Sequence, residues 1–198
     1  MQININTNFP DVARKLSGLQ ADIADKVMAS SVNKAVALAK TRMQREITSE
    51  FNVKADYVRD RLRVTKAASR GSLSISASLV GGDGKRRSAN VIRFIEQFVS
   101  LAQGRKRAKL ANGNQLRFSI KRGSGKKVIT GAFIGNKGRT VFIRTSDKRL
   151  PIKAVSTVDV ASMFNTRRIN KRVVDLINER LPDLIDKDIA YFTSRFNK

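Results

Sequence analysis

The chain has 198 residues, of which 41% are hydrophobic, enough for a globular core, yet 40 lysines and arginines face only 16 acids for a net charge of +24. It contains no cysteine and no histidine, which excludes disulfides, thiolate nucleophiles, imidazole bases and nearly every zinc site. The N-terminus lacks the charged start and apolar core of a signal peptide, and no apolar run approaches the roughly 20 residues that a membrane span needs, so a soluble protein made in the cytoplasm, with no membrane partner, is expected.

Residues 10–50 read as one long helix, because Val12, Leu16, Leu19, Ile23, Val27, Ala35, Ala39, Met43 and Ile47 recur mostly at steps of three or four. Pro10 and Asp11 suit a first turn, although Gly18 weakens the early part and allows a start after it. The small residues of "MASSVNKAVALAK" permit a neighbouring helix to come close. Residues 54–64 predict a short second helix, with Tyr57, Val58 and Leu62 inward and Arg59, Arg61 and Arg63 outward. Then the period changes: Leu73, Ile75, Ala77 and Leu79 alternate with serines, the mark of a strand with one solvated face.

Residues 91–101 fit a helix or a buried strand equally. Strands are expected over 115–122, 127–135 and 139–145, and the turn signals "GSGK" and "NKG" between them make an antiparallel meander the economical arrangement. Phe118, Phe133 and Phe142 take core positions in it. Residues 150–164 pass from an extended piece into a brief helix, with Ser156 and Asp159 spaced for a capping box. From Thr166 a last amphipathic helix runs toward the C-terminus, which Pro182 should kink or split. The acids of both terminal helices, Asp25, Glu46, Asp175 and Asp188 among them, alternate with lysine and arginine as on solvated, ion-paired faces.

This order predicts an α+β fold: long N-terminal and C-terminal helices packed on a small, mainly antiparallel sheet with basic loops. One domain over 1–198 is expected, with a helical part at 1–66, a basic sheet part at 72–153 and a C-terminal helical part at 156–198.

The charge is not evenly spread. Residues 85–153 hold 19 basic side chains against Glu96 and Asp147, a balance of +17, while the remaining residues hold 21 basic and 14 acidic, or +7. Three turns concentrate it: Lys85, Arg86 and Arg87; Arg105, Lys106, Arg107 and Lys109; and Arg122, Lys126 and Lys127. Cations in such density match a polyanion, and these ten residues are the candidate nucleic-acid contacts. With no aromatic residue interleaved, they suit a duplex backbone better than stacked single strands. An acidic protein surface is the competing partner.

No enzyme is expected. "GSGKK" and "GDGKRRS" have neither the glycine five residues before the Gly-Lys pair nor the following Ser or Thr of a phosphate-binding loop. Asp83-Gly84-Lys85 fits the end of a nuclease-like acid-x-Lys pattern, a triplet common by chance, without neighbouring carboxylates for a metal. Neither a cofactor nor a metal is expected.

The segment order, together with Tyr57 to Val64, the Leu73 to Val80 strand, and Leu150, Pro151, Ile152 and Lys153 ahead of a short helix ending in Met163 and Phe164, resembles the phage and prophage minor tail protein Z family from about residue 10 to 196. The chain departs from the family pattern at Ala154 to Thr157, where relatives tend toward a Gly-Pro-Ser kind of link. The resemblance implies a structural virion protein of a tailed bacteriophage, acting late in tail assembly at or near the end that meets the head. Its implied partners are other tail and neck subunits, and no catalytic residues. Combined with the charge, this leads to a tail completion protein, ring-forming in the particle, whose basic loops touch duplex DNA. A free cytoplasmic nucleic-acid binder, and a tail protein whose loops dock an acidic neighbour, are the alternatives. A tail subunit should also leave apolar helical surface, such as Val174, Ile177 or Phe196, for neighbours.

Overall fold

The computed structural model describes residues 2–6, 21–68, 75–82, 88–95, 116–129 and 131–196. Two 30-residue helices dominate it: α1 (Ala21–Glu50) and the C-terminal α4 (Arg167–Phe196). Between them lie two five-residue helices, α2 (Ala55–Arg59) and α3 (Val160–Phe164), and short strands. The strands are β1 (Gln2–Asn6), β2 (Leu62–Thr65), β3 (Ser76–Gly81), β4 (Ser88–Asn90), β5 (Leu116–Phe118), β6 (Lys127–Ile129), β7 (Phe133–Gly135), β8 (Thr140–Arg144), β9 (Ile152–Ala154) and β10 (Ser156–Val158). The fold is α+β, as expected.

α4 buries Ile169, Val173, Ile177, Leu181 and Ile185, a strict i, i+4 stripe. It packs on α1, whose Val27, Val32, Ala35, Val36, Ala39, Met43 and Ile47 are all buried. Three polar ties set the direction. Ser31 donates to Asp188 at 2.8 Å, Arg172 donates to Glu46 at 2.8 Å, and Arg168 pairs with Glu50 at 2.8 Å. Each step forward on α1 is thus matched by a step back on α4, so the helices run antiparallel. Asp25, Glu46 and Asp188 are buried rather than on solvated faces. Lys34 pairs with Asp188, and Arg42 joins Arg172 on Glu46 at 2.8 Å, which compensates two of those buried charges. Lys171 and Asp175 form the expected exposed pair at 3.1 Å.

α4 is not split at Pro182, which stands inside one helical element. The proline removes the donor for the Asn178 carbonyl, and both residues are exposed, so water can take that bond. Ile177 is buried and Val174 half-buried, so neither offers the free apolar surface anticipated for them.

The predicted helix over 54–64 ends early. After Arg59 the chain extends into β2, where Leu62 and Val64 alternate with Arg63 and Thr65. β2 and β1 flank the central β3 in an antiparallel sheet, with Leu62 opposite Gly81 and Gln2 opposite Val80. The expected alternation holds at Ile75, just before β3, and at Ala77 and Leu79 within it, all buried, while Leu73 lies outside the described residues; the sheet packs on α1. The end of β3 meets α3 so closely that a Cβ on Gly81 would sit 2.6 Å from the Phe164 ring.

The expected single meander is instead divided. β5 pairs with β6, β4 with β10, and β7, β8 and β9 form a third small antiparallel sheet. The 127–135 strand breaks at Gly131, whose φ of 73° is a left-handed conformation open to glycine. Residues 91–94 settle as a 3-10 turn. Asn90 holds these pieces together, because its amide pairs with both the N–H and the C=O of Val141, at 2.9 and 3.2 Å, and also accepts from the Ile92 N–H at 3.1 Å. One cluster of buried apolar side chains draws on α1, α4, β3 and the Phe94, Phe118 and Phe164 rings. Phe133 and Phe142 are half-buried and stack at 5.9 Å.

Candidate nucleic-acid interface

Of the ten candidate contacts, Lys85, Arg86, Arg87, Arg105, Lys106, Arg107 and Lys109 lie outside the described residues. Arg122, Lys126 and Lys127 share the β5–β6 hairpin, and all three are exposed. Buried Ser119 organises its loop, with its hydroxyl 3.0 and 3.1 Å from the carbonyls of Lys121 and Ser124. The hairpin is docked on the C-terminus of α1. The Arg122 N–H donates to the Glu50 carbonyl at 2.9 Å, its Nε donates to the Thr48 carbonyl at 2.8 Å, and the Asn52 N–H donates to the Ile120 carbonyl at 2.9 Å. α1 carries no basic residue in its own last turn. Arg122 therefore supplies, from a distant element, the cation and the donors that a helix C-terminus favours. It serves the scaffold as well as the surface, a role that its sequence neighbourhood does not signal.

The described cations between 85 and 153 are Arg93, Arg117, Lys121, Arg122, Lys126, Lys127, Lys137, Arg139, Arg144, Lys148, Arg149 and Lys153, and every one is exposed. By contrast Lys34, Arg42, Arg59, Arg61, Arg168, Lys171, Arg172 and Arg180 all lie within 4 Å of carboxylates, and none belongs to that segment. The helical part thus neutralises part of its charge in ion pairs, while the described cations of the sheet part lie exposed. Some of these side chains are held by their own loops: Arg144 donates to the Arg149 carbonyl at 2.7 Å and lies 5.3 Å from the Phe133 ring centre.

A second cationic feature escaped the sequence reading. A pocket of about 260 Å³ opens between α2, β4, the turn after it, the β7–β8 connection and Asp159. Asp159 was expected to cap α3 with Ser156, but its side chain makes no capping bond and Ser156 pairs with Asn90 in a strand. Instead the buried Asp159 carboxylate accepts from the Tyr57 hydroxyl at 3.1 Å, with the Arg61 Nε 3.8 Å away. Arg61, expected to point outward, stacks on the Tyr57 ring at 3.8 Å, and Arg93 lies 5.0 Å from the same ring. Burial, then the Asp159 charge, push the Tyr57 hydroxyl up to about 12, against the opposing pull of Arg61 and Arg93. Arg139 completes the cationic lining.

Among the described residues no helix is long and apolar enough to cross a membrane, and no group of acids is placed to hold a metal ion. The family model described as prophage minor tail protein Z matches residues 10–196. No curated protein and no solved structure matches the chain.

Proposed function

Since the chain belongs to the prophage minor tail protein Z family, we propose that this phage minor tail protein completes the tail at its head-proximal end, joins tail to head, and steadies the duplex genome there through its basic loops. The observation that carries this reading is the division of charge. Paired ions hold the helical part together, while exposed cations gather in the segment with a local balance of +17. Contacts of such cations to the phosphate backbone release counterions and carry no sequence information, which suits DNA that must be held and later slide out. A ring of copies would multiply weak contacts around the passage.

The direct test is a salt titration of binding to unrelated duplexes. If six to ten phosphates are engaged, affinity should fall about 10³- to 10⁵-fold between 50 and 200 mM salt, with no preference among sequences. An affinity indifferent to salt, or no binding at low salt, removes the DNA contact. Changing Arg105, Lys106, Arg107 and Lys109 to serine separates DNA from protein docking in assembled phage. Particles that form but lose or misplace the DNA end support the proposal, whereas tails that fail to join heads assign the loops to an acidic neighbour. Electron microscopy of particles carrying labelled protein locates the subunit, and its absence from virions would favour the free nucleic-acid binder.

A further inference from the structure

The pocket beside Tyr57 brings three guanidinium groups and one carboxylate together from segments as far apart as residues 57 and 159. Asp159 is already engaged by Tyr57 and Arg61. Among the described residues neither Arg93 nor Arg139 has a carboxylate partner, and both are exposed at the pocket. The lining therefore carries two positive charges in excess.

We propose that this pocket receives a carboxylate side chain from an acidic segment of a neighbouring protein. Planar guanidinium forks match a carboxylate bidentately, and the stacking of Arg61 and Arg93 against Tyr57 orders them before the ligand arrives. Two observations favour a protein partner over the genome. The recess is of side-chain size, which suits a single carboxylate group better than the run of phosphates along a duplex. Asn136 and Thr140, hydrogen-bonded to each other at 3.3 Å, add neutral donors and acceptors that a peptide can match in both senses, whereas a phosphodiester chain presents acceptors. The pocket and the basic loops can fail separately, since Arg93 and Arg139 are not among the ten loop residues assigned to DNA.

The chain has two tyrosines and no tryptophan, so Tyr191→Phe leaves Tyr57 as the sole strong intrinsic fluorophore in the full-length protein. Titrating that variant with a short peptide of alternating glutamate and serine should change Tyr57 emission saturably. Adding Arg93→Ser and Arg139→Ser together should weaken binding at least tenfold, and the corresponding lysine pair should restore it only in part. Arg117→Ser, outside the pocket lining, should change it less than twofold. Three results each overturn the proposal: no saturable response, unchanged affinity in the double serine variant, or displacement of the peptide by inorganic phosphate or a 12-base-pair duplex at equal or lower concentration. Circular dichroism checks the fold of the variants. Should they misfold, arginine Nε resonances of the Tyr191→Phe chain provide the same decision, because absence of a peptide-induced shift at Arg93 and Arg139 also overturns it.

Discussion

At the scale of single residues, two polar arrangements do work that no local pattern announces. Tyr57 and Asp159 are 102 residues apart in sequence and meet through one hydrogen bond; the Ser156-x-x-Asp159 spacing looked like a cap because a cap is readable locally, whereas a partner brought by folding is not. Since the Tyr57 hydroxyl titrates near 12 in the fold against 10 for the ordinary group, the folded state holds that proton more tightly. The associated stability is present below pH 10 and is lost as pH rises through 12. In a Tyr191→Phe background, absorbance at 295 nm should show this late ionisation, and Asp159→Asn should bring it back toward 10. Asn90 is the second case. One amide serves three backbone groups across 51 residues, so Asn90→Ala should cost about 2 kcal/mol in urea unfolding, the cost of orphaned backbone partners. A loss below about 0.5 kcal/mol would show that water replaces them.

At the scale of elements, long amphipathic periods were legible and short ones were not. The stripe from Ile169 to Ile185 and the alternation from Ile75 to Leu79 emerge as read, because each has one solvated and one buried side. Residues 60–65 could not be assigned by period alone, since Val58 and Leu62 fit a helical step while Leu62 and Val64 fit a strand, and pairing with β3 decides in favour of the strand. Division of the meander into separate small sheets depends on long-range contacts of Asn90 and β10 that a strand's own sequence does not encode. The β3–α3 contact makes a sharp prediction. Gly81→Ala places a methyl 2.6 to 2.7 Å from Phe164 ring atoms, and should destabilise the protein by about 1–3 kcal/mol through overpacking. In the double variant with Phe164→Ala, which removes the clashing ring atoms and keeps only the Cβ, the two effects should be non-additive. Simple additivity in a denaturation cycle would mean that the ring moves aside at no cost.

At the scale of the whole molecule, the uneven charge was legible by counting, and the structure adds how it is managed. Buried and interhelical ion pairs absorb much of the helical charge, while the described cations of 85–153 remain exposed. A net charge of +24 implies self-repulsion in the compact state. Raising sodium chloride from about 20 to 200 mM, which shortens the screening length from about 20 to 7 Å, should therefore raise the melting temperature in a thermal shift assay. A melting temperature that falls would mean that the interhelical ion pairs outweigh the repulsion. The union of Arg122 with the last turn of α1 has a mechanical consequence. A 30-residue helix is a rod of roughly 45 Å, and the hairpin is fastened to its tip through the main chain as well as the guanidinium. Drag on that hairpin by a passing polymer would be delivered to a stiff strut lying along α4, and resisted by shear across the whole helix pair instead of by bending of a loop.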